Sequence, residues 1–162
     1  MPRVPTQEMF VTVQDNDLLL ERQLCFGLSV ASRSVIAAYR PVLAKLSLTH
    51  PQYLVMLALW EQAPRQVKDI GGALLLEPAT LSPLLKRLEA LGYVTRRRSE
   101  EDRRALAVDL TPAGAALREK ALSVPGTMLA RLGLDRDSAI ALHHSMTALI
   151  EAATRADGVA DN

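Results

Sequence analysis

Three observations predict a mainly α chain with one small β-hairpin for this sequence of 162 residues. Leu81, Leu84, Leu85, Leu88 and Leu91 fall on one apolar stripe at helical spacing. Directly after it, the runs YVTRRR and ALAVDL alternate or carry β-branched residues around a charged loop, SEEDRR. Most of the rest is Ala- and Leu-rich sequence of helical character. A helix with a small, polar and basic outer face, followed by a hairpin with an arginine-rich tip, predicts a winged helix-turn-helix. N- and C-terminal helices would flank it and form a dimerisation region. That architecture sets the helix in a DNA major groove with the hairpin tip beside it.

Residues 1–14 hold two prolines and no periodicity, and read as a flexible arm. Residues 15–48 form the first helix and its connection. Asp15, Asn16 or Asp17 is placed to cap a helix reaching about Arg40, with Pro41 following it. Leu18, Cys25, Ser32 and Tyr39 repeat every seven residues, beside a second seam of Leu28, Val35 and Val42. A seam of that period suits packing against other helices, including those of a second subunit.

The DNA-binding region is expected over 49–111. Thr49 or His50 before Pro51 starts a helix, PQYLVMLALWEQ, that is apolar nearly all round and therefore buried. A short helix over 66–75 and the Leu81 helix form the helix-turn-helix pair. Pro78 suits the first position of that second helix, after Glu77 as cap. Pro83, five residues on, lacks a donor and crowds the preceding turn, so the helix starts nearer Thr80 or bends. Ala79, Thr80, Ser82 and Lys86 lie opposite or beside the leucine stripe with Arg87, and are the candidate DNA-reading side chains. Gly92 ends the helix as a residue tolerant of positive φ. Thr111-Pro112 is a cap and a favoured first helical residue. Residues 112–157 supply the C-terminal dimerisation helices, interrupted at VPG (124–126) and again at Gly133 and Asp135. Residues 158–162 are a frayed tail.

Composition excludes several classes. No apolar run approaches the roughly 20 residues that span a bilayer. The first ten residues lack an apolar signal core, so a cytoplasmic protein is expected. One cysteine permits no intrachain disulfide, and three histidines are too scattered for a metal cluster. Neither a metal nor a cofactor is expected. Net charge is +1, but residues 65–104 carry nine basic against six acidic side chains, so the positive excess sits on the predicted DNA element.

Arg-Ser-Glu-Glu-Asp-Arg-Arg at 98–104, with Leu110-Thr111 closing the hairpin, resembles the D-x-R wing signature of MarR-type transcriptional regulators. LCFGLSVASR (24–33), YRPVL (39–43), LTHPQYLVMLALWE (48–61), LSPLLKRLEALGYVTRRRSEEDRR (81–104) and LSVPGT (122–127) are similar to the organic hydroperoxide resistance branch of that family, one-cysteine type. The resemblance implies a homodimeric repressor on pseudo-palindromic double-stranded operator DNA, released when organic hydroperoxides oxidise a cysteine. It makes Cys25 the sensing thiol, with Tyr39 and His50 as the groups that stabilise its thiolate. Arg104 becomes the minor-groove arginine of the wing, oriented by Asp102. The branch commonly has tyrosines where this chain has His50 and Ser29.

A sensor needs a thiolate and solvent access, because the thiolate is the species that attacks the peroxide oxygen. Cys25 and Tyr39 stand fourteen residues apart, about 21 Å along one helix at roughly 1.5 Å per residue. No side chain spans that distance, so the Tyr39 beside a thiol would come from the partner subunit unless the helix breaks. His50 would make the reactivity of Cys25 pH-dependent near neutrality. With no second cysteine to trap the oxidised sulfur, a small external thiol is the expected partner. For a lone cysteine in a helical seam the plain reading is a small buried hydrophobe. Competing functions are a repressor released by a phenolic or aromatic ligand held near Trp60 and Tyr53, with Cys25 a bystander, and a thiol peroxidase. No resolving cysteine or phosphate cradle supports turnover, so no enzyme is expected.

Overall fold

The computed structural model describes residues 15–98 and 105–160. The described residues before Ala38 form one compact unit, and those from Ala38 onward form a second.

Before the first α-helix the chain makes two short 3-10 turns, Asp15–Leu18 and Leu20–Arg22. Helix α1 then spans Leu24–Ala44. Its start lies later than the acidic cap expected at 15–17, and Gln23 supplies the reason. The backbone of Gln23 is extended, its side-chain amide donates back to Leu19 O at 3.2 Å, and its own carbonyl accepts from Gly27 N–H. The chain thus leaves the 3-10 turn and enters the α-helix at one residue. Pro41 lies inside α1 rather than after it. Pro41 and Ala37, whose carbonyl the proline cannot pair, are both exposed, so that carbonyl lies on the solvent side of the helix. Along 24–37 only Leu28 and Val35 are half-buried, whereas Leu24 is 64% exposed and Phe26, Val30 and Ile36 also face solvent.

From Ala38 onward the chain closes on a core. Helix α2 (His50–Glu61) runs through it, burying Gln52, Tyr53, Val55, Met56, Ala58 and Leu59. Gln52 is a buried polar side chain, and its Oε1 accepts the Thr49 N–H at 2.9 Å, closing the helix entry. Leu57, at 41% exposed, is the one residue between Gln52 and Trp60 that faces solvent. Strand β1 (Arg65–Gln66) and helix α3 (Val67–Leu74) follow. Helix α4 (Pro78–Ala90) begins at Pro78, and Pro83 sits within it. That settles the choice left by sequence: Pro83 and Ala79 are both exposed, so the unpaired carbonyl faces water.

Leu81, Leu85 and Leu88 of α4 are fully buried, Leu84 is half-buried, and Leu91 is 43% exposed. Leu91 leaves the stripe because the helix ends there. Gly92, at φ +77, turns the chain with its N–H on Glu89 O, and Tyr93 N–H returns to Leu88 O. Strands β2 (Val94–Arg98) and β3 (Leu106–Leu110) pair antiparallel from Val94 against Leu110 to Arg98 against Leu106. The expected hairpin is in fact two strands of a three-stranded sheet in the order β1-β3-β2. Arg65 and Gln66 add to the free edge of β3, which covers backbone groups that an isolated hairpin exposes.

Thr111 caps α5 (Pro112–Ala121), accepting the Gly114 N–H at 3.0 Å. Helix α6 (Val124–Leu132) takes VPG as its own first turn rather than as a gap. Gly133 at φ +65 ends it, and Asp135 caps α7 (Arg136–Ala160) through Ser138 N–H at 2.7 Å. The last helix therefore continues to Ala160. Val42, Leu43, Val55, Met56, Leu59, Ile70, Leu81, Leu85, Leu88, Val94, Val108, Leu117 and Val124 make one buried cluster across these elements. Among the residues of α7 whose burial is described none is fully buried, and Ile140, Leu142, Met146 and Ile150 are exposed.

Candidate functional site

The α4 face opposite its leucines carries Ala79, Thr80, Ser82, Lys86 and Arg87, all exposed. Their placement follows from the helix period: with Leu81, Leu85 and Leu88 held inside, these positions have only solvent to meet. Short side chains near the N-terminal end allow close approach to a surface, and the cations lie one to two turns on. This face can enter a groove and reach phosphates on either side.

Beside α4, the described part of the hairpin is braced by two ion pairs. Arg96 Nε donates to Glu89 Oε2 at 2.9 Å, joining β2 to the last turn of α4. The Arg96 hydrogen bond holds the Glu89 carboxyl below its usual range. Arg97 Nη2 donates to Asp109 Oδ2 at 2.9 Å across the sheet, opposite the Thr95–Asp109 register pair by one step. Both arginines looked like free wing cations in the sequence. Neither pair has a helical spacing, and only the strand register brings Arg97 near Asp109. Arg98 makes no ion pair among the described residues. Asp102 and Arg104, and with them Glu100, Glu101 and Arg103, lie outside the described residues.

Cys25 is in the first turn of α1 and its thiol is exposed. In the second unit, Tyr39 and His50 meet edge-on with ring centroids 5.4 Å apart. Tyr39 comes from the C-terminal half of α1 and His50 from the first position of α2, so the connection 45–49 folds back to bring them together. Burial lowers the His50 pKa from its ordinary value, which favours the neutral imidazole with one ring N–H to donate. Tyr53, 6.2 Å from the Tyr39 ring, has its pKa raised by burial first and by Tyr39 second.

Tyr53 and Trp60 also line a cavity of about 290 Å³ with Leu57, Arg118, Leu122 and Pro125. Sequence reasoning missed the Trp60 indole bond to Gly114 O at 2.9 Å, a contact spanning 54 residues. Among the described residues there is no group of three or more His, Cys, Asp or Glu that could hold a metal ion. No described helix is long and apolar enough to cross a membrane.

The MarR family profile matches residues 48–106 of this chain. The organic hydroperoxide resistance transcriptional regulator of Bacillus subtilis is 48% identical over 130 residues, covering 80% of this chain and 86% of that protein. AbfR of Staphylococcus epidermidis has a similar crystal structure, with 36% identity, TM-score 0.65, and coverage of 82% of this chain and 94% of that one. A structure of reduced AbfR bound to DNA is similar at 32% identity and TM-score 0.69, covering 83% of this chain and 94% of that one.

Proposed function

This chain belongs to the MarR family, and we propose that it is a homodimeric DNA-binding repressor that organic hydroperoxides switch off by oxidising Cys25. The observation that carries the reading is the 48% identity to a hydroperoxide resistance regulator across 80% of the chain. An exposed thiol at the start of α1 supports it, as does the α4 face of small and basic residues. The protein acts as a regulator rather than a catalyst, and works in the cytoplasm, where its operator is.

Dimerisation is supported by apolar surface on the terminal helices. Leu24, Phe26, Val30 and Ile36 of α1, and Ile140, Leu142, Met146 and Ile150 of α7, face solvent in one chain, and a second copy removes them from water. Two α4 helices related by a two-fold axis read a pseudo-palindromic duplex, with half-sites about one helical turn apart. Thr80, Ser82 and Lys86 face base edges, with Ala79 allowing close approach and Arg87 on phosphate. Arg104, oriented by Asp102, enters the neighbouring minor groove, where the potential is most negative.

Cys25 and Tyr39 stand fourteen residues apart in the sequence, about 21 Å for helical residues at roughly 1.5 Å each, which no side chain spans. Tyr39 and His50 of the partner subunit therefore serve the thiol, each donating a hydrogen bond that favours the thiolate. The thiolate attacks the terminal oxygen of the hydroperoxide and the O–O bond breaks. Sulfur keeps that oxygen as a sulfenate, and the hydroperoxide proton leaves on the product alcohol. Once protonated, the sulfenic acid condenses with a small thiol, giving a mixed disulfide and water.

The test uses a duplex selected from a random pool by the reduced protein. Cumene hydroperoxide is expected to release it from wild type and leave Cys25→Ser bound. Release of both overturns thiol sensing. It would favour a second reading, in which an aromatic ligand in the cavity of Tyr53, Trp60 and Arg118 triggers release and Cys25 is a bystander.

A further inference from the structure

Four aromatic rings run in series from the Tyr39–His50 pair towards the root of the hairpin. His50 to Tyr39 is 5.4 Å between centroids, Tyr39 to Tyr53 is 6.2 Å, and Tyr53 to Trp60 is 6.4 Å with the rings edge-on. These separations lie within the range of favourable ring pairs. Tyr53 is buried in the core and Trp60 is half-buried, so the rings are held by their surroundings rather than free to swing.

The series ends on backbone. Trp60 Nε1–H donates to Gly114 O at 2.9 Å, in the first turn of α5. Gly114 is pressed against the entry to the wing, since a Cβ there would stand 2.0 Å from Tyr93 O. Thr111 ties the same place twice more: its N–H donates to Tyr93 O at 3.1 Å and its hydroxyl to Gly92 O at 2.6 Å. Gly92 and Tyr93 lead straight into β2. The helix start that Trp60 grips is therefore the helix start on which the wing is hung, through backbone at Gly114 and Thr111 and the short Thr111 hydroxyl.

We infer that Trp60 is a positioning residue whose indole N–H couples the Tyr39–His50 pair to the root of the wing. The inference rests on the functional reading above. When the sulfur served by that pair is oxidised, its hydrogen bonds to the pair change and the Tyr39 ring moves. In a close-packed core the shift passes to Tyr53 and Trp60. The indole N–H then pulls on Gly114 O or leaves it unpaired at a part-buried site. Losing one such bond changes an equilibrium about two- to twelve-fold.

Trp60→Phe keeps a ring against Tyr53 and removes the donor. Operator affinity is read by fluorescence anisotropy at fixed salt on the selected duplex, before and after one equivalent of cumene hydroperoxide. Mass spectrometry follows Cys25 in the same samples, and circular dichroism checks the fold. Trp60→Phe is expected to oxidise at the wild-type rate, while its ratio of oxidised to reduced Kd falls at least threefold below that of wild type. Thr111→Val, which removes the hydroxyl tie at the other end, is expected to lower the ratio as well. The double variant should lose no more than the larger single loss, as members of one serial path do. A wild-type ratio in both single variants, or additive losses in the double, overturns the inference while wild-type release keeps the functional reading standing. A wild type that holds its duplex after oxidation brings down the functional reading and this inference with it.

Discussion

Leu88 on α4 and Leu142 on α7 are the same residue type in opposite circumstances: one is fully buried, the other 48% exposed. Around Leu88 every local requirement is met within one chain. Leu81 and Leu85 share its side of the helix, Gly92 closes the end, and Glu89 beside it is paired with Arg96. Around Leu142, Ile140, Met146 and Ile150 also face water, and among the residues of α7 whose burial is described only Ala139 and Leu149 are half-buried. The exposed stretch of α1 repeats that pattern. The winged-helix region thus buries its apolar side chains within one chain, whereas residues 24–37 of α1 and the described part of α7 leave theirs for a second copy to cover. A signal received on the terminal helices can then change the spacing of two intact DNA-reading units without unfolding either.

Substitutions on the two sides sharpen this contrast. Leu88→Ala should give the largest loss of stability, about 2–5 kcal/mol for a fully buried leucine, read as a lower urea midpoint. A loss under about 1 kcal/mol would mean the core is not centred on α4. Leu142→Asp should leave the far-UV spectrum intact yet yield monomers by sedimentation. Operator affinity should then fall about a hundredfold or more, because two half-sites are no longer engaged together. A variant that stays dimeric would break the contrast. Gly92→Ala forces a side chain into a left-handed backbone and should cost about 1–2 kcal/mol, again by urea unfolding.

The smallest effect is the pH dependence set by His50. Its folded-state pKa lies below the ordinary value of about 6.5, so the unfolded chain takes up the proton first. Stability from this group is complete above that value and is lost as pH falls below it. His50→Gln should flatten the stability profile below about pH 6.5, and an unchanged slope would remove His50 from the account.

Much of the winged-helix region was legible because its signals are local. Pro78, Gly92 and Thr111-Pro112 each mark a boundary through their own backbone preferences, and each stands where it was expected. Signals that depend on the rest of the fold misled. The seven-residue repeat through Leu18 and Cys25 suggested one helix, but a 3-10 turn also brings apolar residues round at short intervals, and Gln23 breaks the chain between them. Strand β1 is two residues long and exists only because β3 offers an edge. The exposed α4 face followed from the leucine stripe alone. The closeness of Tyr39 to His50 depends on how the connection 45–49 turns, and that of Trp60 to Gly114 on packing 54 residues apart, so spacing revealed neither.

The central claim is that oxidation of one sulfur loosens the hold on DNA. Its most direct measurement titrates the wild-type protein–duplex complex with cumene hydroperoxide, recording released duplex by anisotropy and oxidised Cys25 by mass spectrometry in the same samples. The two fractions should rise together, and adding a small thiol afterwards should leave Cys25 as a mixed disulfide. Duplex released while Cys25 is still reduced, or Cys25 fully oxidised on protein that still holds its duplex, would contradict the claim.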